Sequence, residues 1–225
     1  MKVVVTCGPA YEPIDEVRRL TNFSTGELGV LLADALTGAG WEVICFRGEA
    51  ATCPRVPSAA ECVTFSTNAD LAARLRATGA AHDIGAVFHA AALCDYKVGS
   101  VEDSRGAKVG SPKIDSRAGE LVVRLVPAAK VIASLRSWFP HGVLIGWKYE
   151  LVGTRADALA RARAQMAENR TDACVVNGRA FGPGFGLCEA GAEQPVAEFA
   201  GKKELVAGLV AWLKGRRSPP PKAGV

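Results

Sequence analysis

An α/β fold built on a doubly wound, mostly parallel sheet is what this 225-residue sequence predicts, and three observations carry the prediction. Short β-branched runs alternate with helix-patterned stretches along most of the chain. The runs are apolar throughout rather than alternating, as strands covered on both faces are. Glycine-bearing segments fall between a strand's end and the next helix, where sheets of this kind bind ligands.

Taken in order, Val3-Val4-Val5-Thr6 reads as the first buried strand. Leu28, Leu31, Leu32, Ala35 and Leu36 recur at helical spacing, and Gly38 and Gly40 end that helix. Strands follow at Glu42–Phe46 and Cys62–Phe65, then a short helix at Ala69–Ala77 and a strand at Ile84–Ala90. Farther on the pattern gives a helix over Ala129–Phe139, a strand over Val143–Gly146 and a helix over Thr154–Asn169. A strand over Ala173–Val176 and a helix over Lys203–Lys214 complete the series. Thr154 with Asp157 three residues later makes a helix start. This is a Rossmann-like alternation within one domain over residues 1–214.

Two stretches interrupt it. Residues 97–126 are polar and Gly-rich, then become strand-like over Glu120–Val126; residues 178–199 hold five glycines and end in Pro195–Phe199. Structureless loops of that length are uncommon inside a compact domain. Both segments are therefore expected to form flaps or a small antiparallel extension, and both are the expected dimerisation surfaces. Residues 215–225, basic and Pro-rich, are expected to be a disordered tail.

Composition excludes several classes. With 49% hydrophobic and 22% charged residues the chain is an ordinary globular one. The net charge of +4 equals the four cations Lys214, Arg216, Arg217 and Lys222 near the C-terminus. The remaining body is neutral and offers no basic face for nucleic acid. No apolar run approaches the roughly 18–20 residues of a membrane helix. Met1 opens straight into a strand-like run without a signal peptide, so a cytoplasmic location is expected. Seven cysteines form no C-x-x-C and are odd in number, so neither a zinc site nor a disulfide framework is expected. Most sit in apolar runs as small hydrophobes.

The chemistry concentrates at strand ends. Thr6-Cys7-Gly8-Pro9 leaves the first strand, and Asn22-Phe23-Ser24-Thr25-Gly26-Glu27-Leu28-Gly29 opens the first helix. Glycines entering a helix N-terminus present backbone N–H groups and the positive dipole end to an anion, and Ser24 adds a hydroxyl. Ser24-x-x-Glu27 is equally an ordinary capping box. A dinucleotide site competes. However, G-x-G-x-x-G is absent, and Arg47, not an acidic residue, follows the second strand. Arg47 suits a 2′-phosphate, which keeps an NADP-dependent oxidoreductase as an alternative. Against it, Tyr11, Tyr96 and Tyr149 are followed four residues later by Asp15, Ser100 and Gly153, so no Tyr-x-x-x-Lys pair exists. At the fourth strand's end stands His89-Ala90-Ala91-Ala92-Leu93-Cys94-Asp95-Tyr96. The three alanines leave room for a ligand against the backbone, and Asp95 suits a metal–nucleotide complex. His89 reads as a structural histidine.

Thr6–Arg18, Thr21–Gly26 and the Ala-Ala-Ala-x-x-Asp-Tyr strand end together resemble phosphopantothenoylcysteine synthetases. Pro112-Lys113-Ile114, Gly146-Trp147-Lys148-Tyr149-Glu150 and Asp172–Asn177 continue the resemblance in order, to about Lys214. The form resembled is the free-standing one, since no flavin-binding half precedes Met1. The resemblance implies ligation of 4′-phosphopantothenate to cysteine in coenzyme A biosynthesis, through an acyl-nucleotide made with CTP (or ATP) and Mg2+, by a homodimer. It assigns Asn22 to the acyl-nucleotide and Lys113 to catalysis. Gly8, Ser24, Gly26, Gly29 and Asn177 fall to phosphate and substrate; Ala91, Ala92, Asp95 and Trp147 fall to the nucleotide. No metal ligand set is implied beyond Asp95 acting through the Mg-nucleotide. Two departures stand out. Lys113-Ile114-Asp115-Ser116 replaces a Lys-x-Lys-Lys pattern, and Gln165 and Asn169 stand where nucleotide-binding lysines are expected. Arg161, Arg163 and Arg170 are the candidate substitutes for the lost charge. The alternative within the same fold is a phosphate- or nucleotide-binding module without ligase activity.

Overall fold

The computed structural model describes residues 1–57, 61–110, 112–115, 117 and 119–216. Its centre is an eight-stranded sheet. Strands β1 (Lys2–Cys7), β4 (Glu42–Gly48), β5 (Glu61–Phe65), β6 (Ile84–His89), β9 (Val143–Tyr149) and β10 (Ala173–Asn177) run parallel in the spatial order β10-β9-β6-β1-β4-β5. Val3, Val4 and Val5 are completely buried, which explains the unbroken apolar run: residues on both faces of this strand meet helices.

On one face, α1 (Glu27–Gly38) and α5 (Lys202–Gly215) pack on Val3, Val5, Val43 and Cys45. On the other, α2 (Asn68–Ala81) and α3 (Ile132–Trp138) cover Val4, Ile44, Phe46 and Leu144, and α4 (Arg155–Asn169) covers Cys174 and Val176. Each fully buried Val, Leu or Phe contributes about 1.5–3 kcal/mol. The contact of α1 with β1 is unusually close. A Cβ on Gly29 would lie 2.1 Å from the Cβ of Cys7, so only glycine permits it. Helix α4 starts with a complete capping box between Thr154 and Asp157.

Three features depart from the sequence reading. First, Tyr11–Pro13 (β2) and Arg19–Thr21 (β3) form a hairpin in what reads as a loop; Asp15 holds its turn by accepting from the N–H groups of Val17 and Arg18. Second, of the two forms expected for residues 178–199 the structure takes the antiparallel extension, and it joins the main sheet instead of standing apart. These residues supply β11 (Phe185–Glu189) and β12 (Ala197–Phe199), which extend the main sheet antiparallel beyond β10. Residues 97–126, in contrast, hold a separate antiparallel hairpin of β7 (Tyr96–Asp103) and β8 (Leu121–Pro127). Third, two residues of the expected tail are folded: Gly215 ends α5, and Arg216 pairs with Glu189 at 3.1 Å. Residues 217–225 lie outside the described part, as does Ser116 of the departing lysine motif.

Candidate active site

The strand order reverses between β1 and β6, and the crevice beyond their carboxyl ends is where a doubly wound sheet takes ligands. The backbone keeps pairing past both strands. Ala90 N–H donates to Thr6 O at 3.1 Å, Ala92 N–H to Gly8 O at 2.9 Å, and Ala10 N–H to Ala92 O at 3.1 Å. The extension behaves as strand, so successive residues face opposite ways. Ala90 and Ala92 border one cleft, and Ala91 and Leu93 border another. A thin wall of alanines thus separates two open clefts.

The first cleft gathers Gly8, Ser24, Gly26, Gly29, Ala92 and Asn177, from three separate strand ends and the start of α1. Gly26 is the N-cap, in the left-handed region at φ 77°, and no side chain caps the helix. The Ser24–Glu27 capping box permitted by the sequence is therefore absent. Thr25 Oγ1 accepts from Glu27 N–H at 3.2 Å, and the Glu27 carboxylate turns instead to Lys202. The first-turn N–H groups of Leu28 and Gly29 have no partner inside the helix, and the dipole there favours an anion. Gly29 lines the cleft, but its missing side chain is explained by Cys7 rather than by a ligand. Trp147 borders both clefts. It follows Ile145 on the same face of β9, and its indole packs with the α1–α5 cluster, on the first cleft's side. Its Nε1 is buried without a hydrogen-bond partner among the described residues.

The second cleft holds Ala91 and Asp95 together with Asn68, His89, Lys130, Lys148 and Gln165. Asn68 clamps the Leu93–Asp95 turn: its amide donates to Cys94 O at 2.7 Å and accepts from Cys94 N–H at 3.1 Å. His89 is buried and shares a 2.9 Å hydrogen bond with Thr6 Oγ1. Burial pushes its pKa down to about 4, so it is neutral near pH 7. Gln165 reaches Trp147 O at 3.3 Å, whereas Asn169 donates back to Gln165 O inside α4 and lines neither cleft.

The arginines considered as substitutes for the missing lysines are engaged elsewhere. Arg161 pairs with Glu150, Arg163 donates to Glu193 O at 2.7 Å, and Arg170 is the left-handed C-cap of α4 at φ 53°. The cations actually facing the second cleft are Lys130, just before α3, and Lys148, which bonds Glu150 at 3.3 Å. Sequence reasoning missed both. The signal for Lys148 was its place next to Trp147, since neighbouring strand residues face opposite sides. Arg47 donates to Ala51 O and Cys53 O at 3.1 and 2.5 Å. It is committed to its own loop, and the NADP reading loses its anchor for a 2′-phosphate.

Asn22 donates from Nδ2 to Leu93 O at 2.8 Å, tying the segment that leads into α1 to the turn before Asp95, and lines neither cleft itself. Lys113 lines neither cleft. Its segment is fastened to the β2–β3 turn: Glu16 N–H donates to Pro112 O at 2.9 Å, Ile114 N–H to Asp15 at 3.2 Å, and Arg18 to Ile114 O at 3.1 Å. Among the described residues, no cluster of three or more His, Cys, Asp or Glu could hold a metal ion, and no helix is long and apolar enough to cross a membrane.

Residues 1–198 match the family model described as the DNA/pantothenate metabolism flavoprotein C-terminal domain. The chain belongs to this family. It is 30% identical over 182 residues to the coenzyme A biosynthesis bifunctional protein CoaBC of Thermococcus kodakarensis, covering 80% of this chain and 42% of that protein. The chain therefore spans less than half the length of that relative. Its fold superimposes on the DNA/pantothenate metabolism flavoprotein of Streptococcus pneumoniae with a TM-score of 0.82 at 23% identity, covering 96% of this chain and all of that one. A Cab2 mutant in complex with phosphopantothenate-cysteine gives a TM-score of 0.71 at 16% identity, covering 96% of this chain and 88% of the other. Both show the fold.

Proposed function

We propose that this chain joins 4′-phosphopantothenate to cysteine using a nucleoside triphosphate. One observation carries the reading: two clefts share a single wall of small residues, Ala90–Ala92. A reaction between a phosphorylated carboxylate and a nucleotide can use that arrangement, with one ligand in each cleft and the reacting ends brought together over the rim of the shared wall. The family and the relative named for coenzyme A biosynthesis point the same way.

In the first half-reaction, a carboxylate oxygen of phosphopantothenate attacks the α-phosphorus of the triphosphate. Pyrophosphate leaves, and an acyl-nucleotide forms. In the second, the amine of cysteine attacks the acyl carbon, the nucleoside monophosphate leaves with the bonding electron pair, and the amine proton is lost to solvent. Ser24, Gly8, Gly26 and the α1 N-terminus hold the substrate phosphate, and Asn177 borders it. Ala91 lets the nucleotide lie against the backbone in the second cleft, and Ala92 leaves the same room on the first cleft's side of the wall. Asn22 steadies the acyl-nucleotide from the loop it shares with Leu93. Asp95, on the second cleft, is the carboxylate that would hold the Mg2+ accompanying a triphosphate. Lys113 approaches as part of the segment carried on the β2–β3 turn, and its charge offsets that developing on phosphoryl oxygens.

Lys130 and Lys148 supply the triphosphate charge that Gln165 and Asn169 do not. CTP is preferred modestly over ATP, because backbone groups near Ala91–Asp95 do most of the base reading. The β7–β8 hairpin leaves Val122, Leu125 and Val126 about 40% exposed, and a second copy covering this ribbon makes the homodimer. The test is pyrophosphate release dependent on phosphopantothenate and a triphosphate, followed by cysteine-dependent release of the monophosphate. Binding without turnover would assign a module instead, and a nicotinamide absorbance change would assign a reductase.

A further inference from the structure

The sequence reading places no cation in the phosphate cleft. The structure puts one there: Lys202, the first residue of α5, lines that cleft opposite the α1 N-terminus. Its ammonium is paired with Glu27, the first residue of α1. This hydrogen bond, with the lysine's charge, holds the Glu27 carboxyl below the usual carboxylate range.

We propose that Lys202 is the residue that distinguishes the phosphorylated from the unphosphorylated substrate, released from Glu27 to bind the phosphate when it arrives. This rests on the ligase reading above and assigns a new role within it. Three observations support it. In the first turn of α1 only the Glu27 N–H meets a side chain, Thr25 Oγ1, so the N–H groups of Leu28 and Gly29 are open to an anion. The Lys202 and Glu27 side chains are each 46% exposed, and half-exposed pairs of this kind are weak and exchange readily. A dianionic phosphate on the helix N-terminus outcompetes one carboxylate for an ammonium, because its charge is doubled and it offers three acceptor oxygens. Glu27 keeps its own place at the dipole's positive end and does not leave the site.

The test compares phosphopantothenate with pantothenate, by titration calorimetry and by kcat/KM, for the wild type, Lys202→Ala, Lys202→Arg and Glu27→Gln. Lys202→Ala should weaken phosphopantothenate binding 10- to 100-fold and leave pantothenate binding, the KM for triphosphate and kcat at saturation within threefold. Lys202→Arg should recover most of the affinity, and Glu27→Gln should tighten phosphopantothenate slightly by removing the competitor. An active wild type with an unchanged phosphorylated-to-unphosphorylated ratio in Lys202→Ala overturns the assignment and leaves the ligase reading standing. Equal losses for both substrates, with a lowered melting temperature, also overturn it, since they mark a structural lysine. A wild type that neither binds nor turns over phosphopantothenate overturns the ligase reading and this role with it.

Discussion

Replacing the two cations of the second cleft gives the sharpest check on where the triphosphate sits. Lys148 and Lys130 reach the cleft from β9 and from the turn before α3, while the family's usual α4 positions here carry Gln165 and Asn169. A hydrogen bond to a charged group contributes about 1.5–3 kcal/mol, which is roughly a 10- to 100-fold change in affinity. Lys130 is exposed and belongs at the lower limit. Lys148 must also give up Glu150, 3.3 Å away, but Glu150 keeps Arg161 as a partner, so that exchange leaves no carboxylate unpaired. Lys148→Ala should therefore raise the Kd for CTP by about 30-fold and Lys130→Ala by about 10-fold, order-of-magnitude figures from the same hydrogen-bond range. Both meet the same triphosphate, so the double variant should depart from the sum of the single losses, and the difference is their interaction energy. Titration calorimetry with CTP at low and at physiological salt reads this, and salt should shrink the Lys130 effect more, because exposed charges are screened. Unchanged affinity in both single variants would refute the placement. So would loss of binding in Arg161→Ala alone, since Arg161 lines neither cleft.

Four further outcomes follow from the same geometry. Lys113→Gln should lower turnover by orders of magnitude with an unchanged melting temperature; wild-type rates in the purified variant would remove it from the mechanism. Asn22→Asp should let the acyl-nucleotide accumulate or leak, because a carboxylate repels its phosphate, and mass spectrometry that traps no intermediate while product forms normally would count against Asn22. His89 is neutral when folded, with a pKa of about 4 against about 6.5 in an unfolded chain. The unfolded state then binds more protons between those values. Stability is therefore complete above about pH 6.5 and declines toward pH 4 by about 1.4 kcal/mol per pH unit; urea titrations should show that slope in the wild type and not in His89→Asn, and identical slopes would contradict it. Leu125→Asp, on the exposed β8 face, should convert a dimer to a monomer in sedimentation, and an unchanged mass would move the interface elsewhere.

The parallel core was legible because its strands are buried on both faces, so Val3–Val5 in β1 and Ala173–Val176 in β10 form unbroken apolar runs. The hairpin of β2 and β3 was not. Its strands are three residues long, one ends in Pro13, and a side-chain bond from Asp15 rather than any periodicity makes its turn. Strand β11 hid among glycines: Gly186 leaves room for the ring of Phe181, 2.6 Å from where a Cβ would stand. At the candidate site, the glycine turn and the alanine wall could be read because backbone access needs small residues in sequence order. Lys148 could have been read only through its place beside Trp147 on β9, and Lys130 and Lys202 could not, since a lysine at a helix start reads like any solvated lysine. Glu27 and Lys202 meet across 175 positions, a pairing that only the packing of α1 against α5 creates.

The measurement that tests the central claim most directly is single-turnover product analysis of the purified protein with phosphopantothenate, cysteine and CTP, each omitted in turn. The account predicts pyrophosphate and an acyl-cytidylate when cysteine is left out, and conversion to phosphopantothenoylcysteine with release of CMP once cysteine is added. Neither pyrophosphate nor intermediate with CTP or ATP, despite calorimetric binding of both ligands, would contradict it.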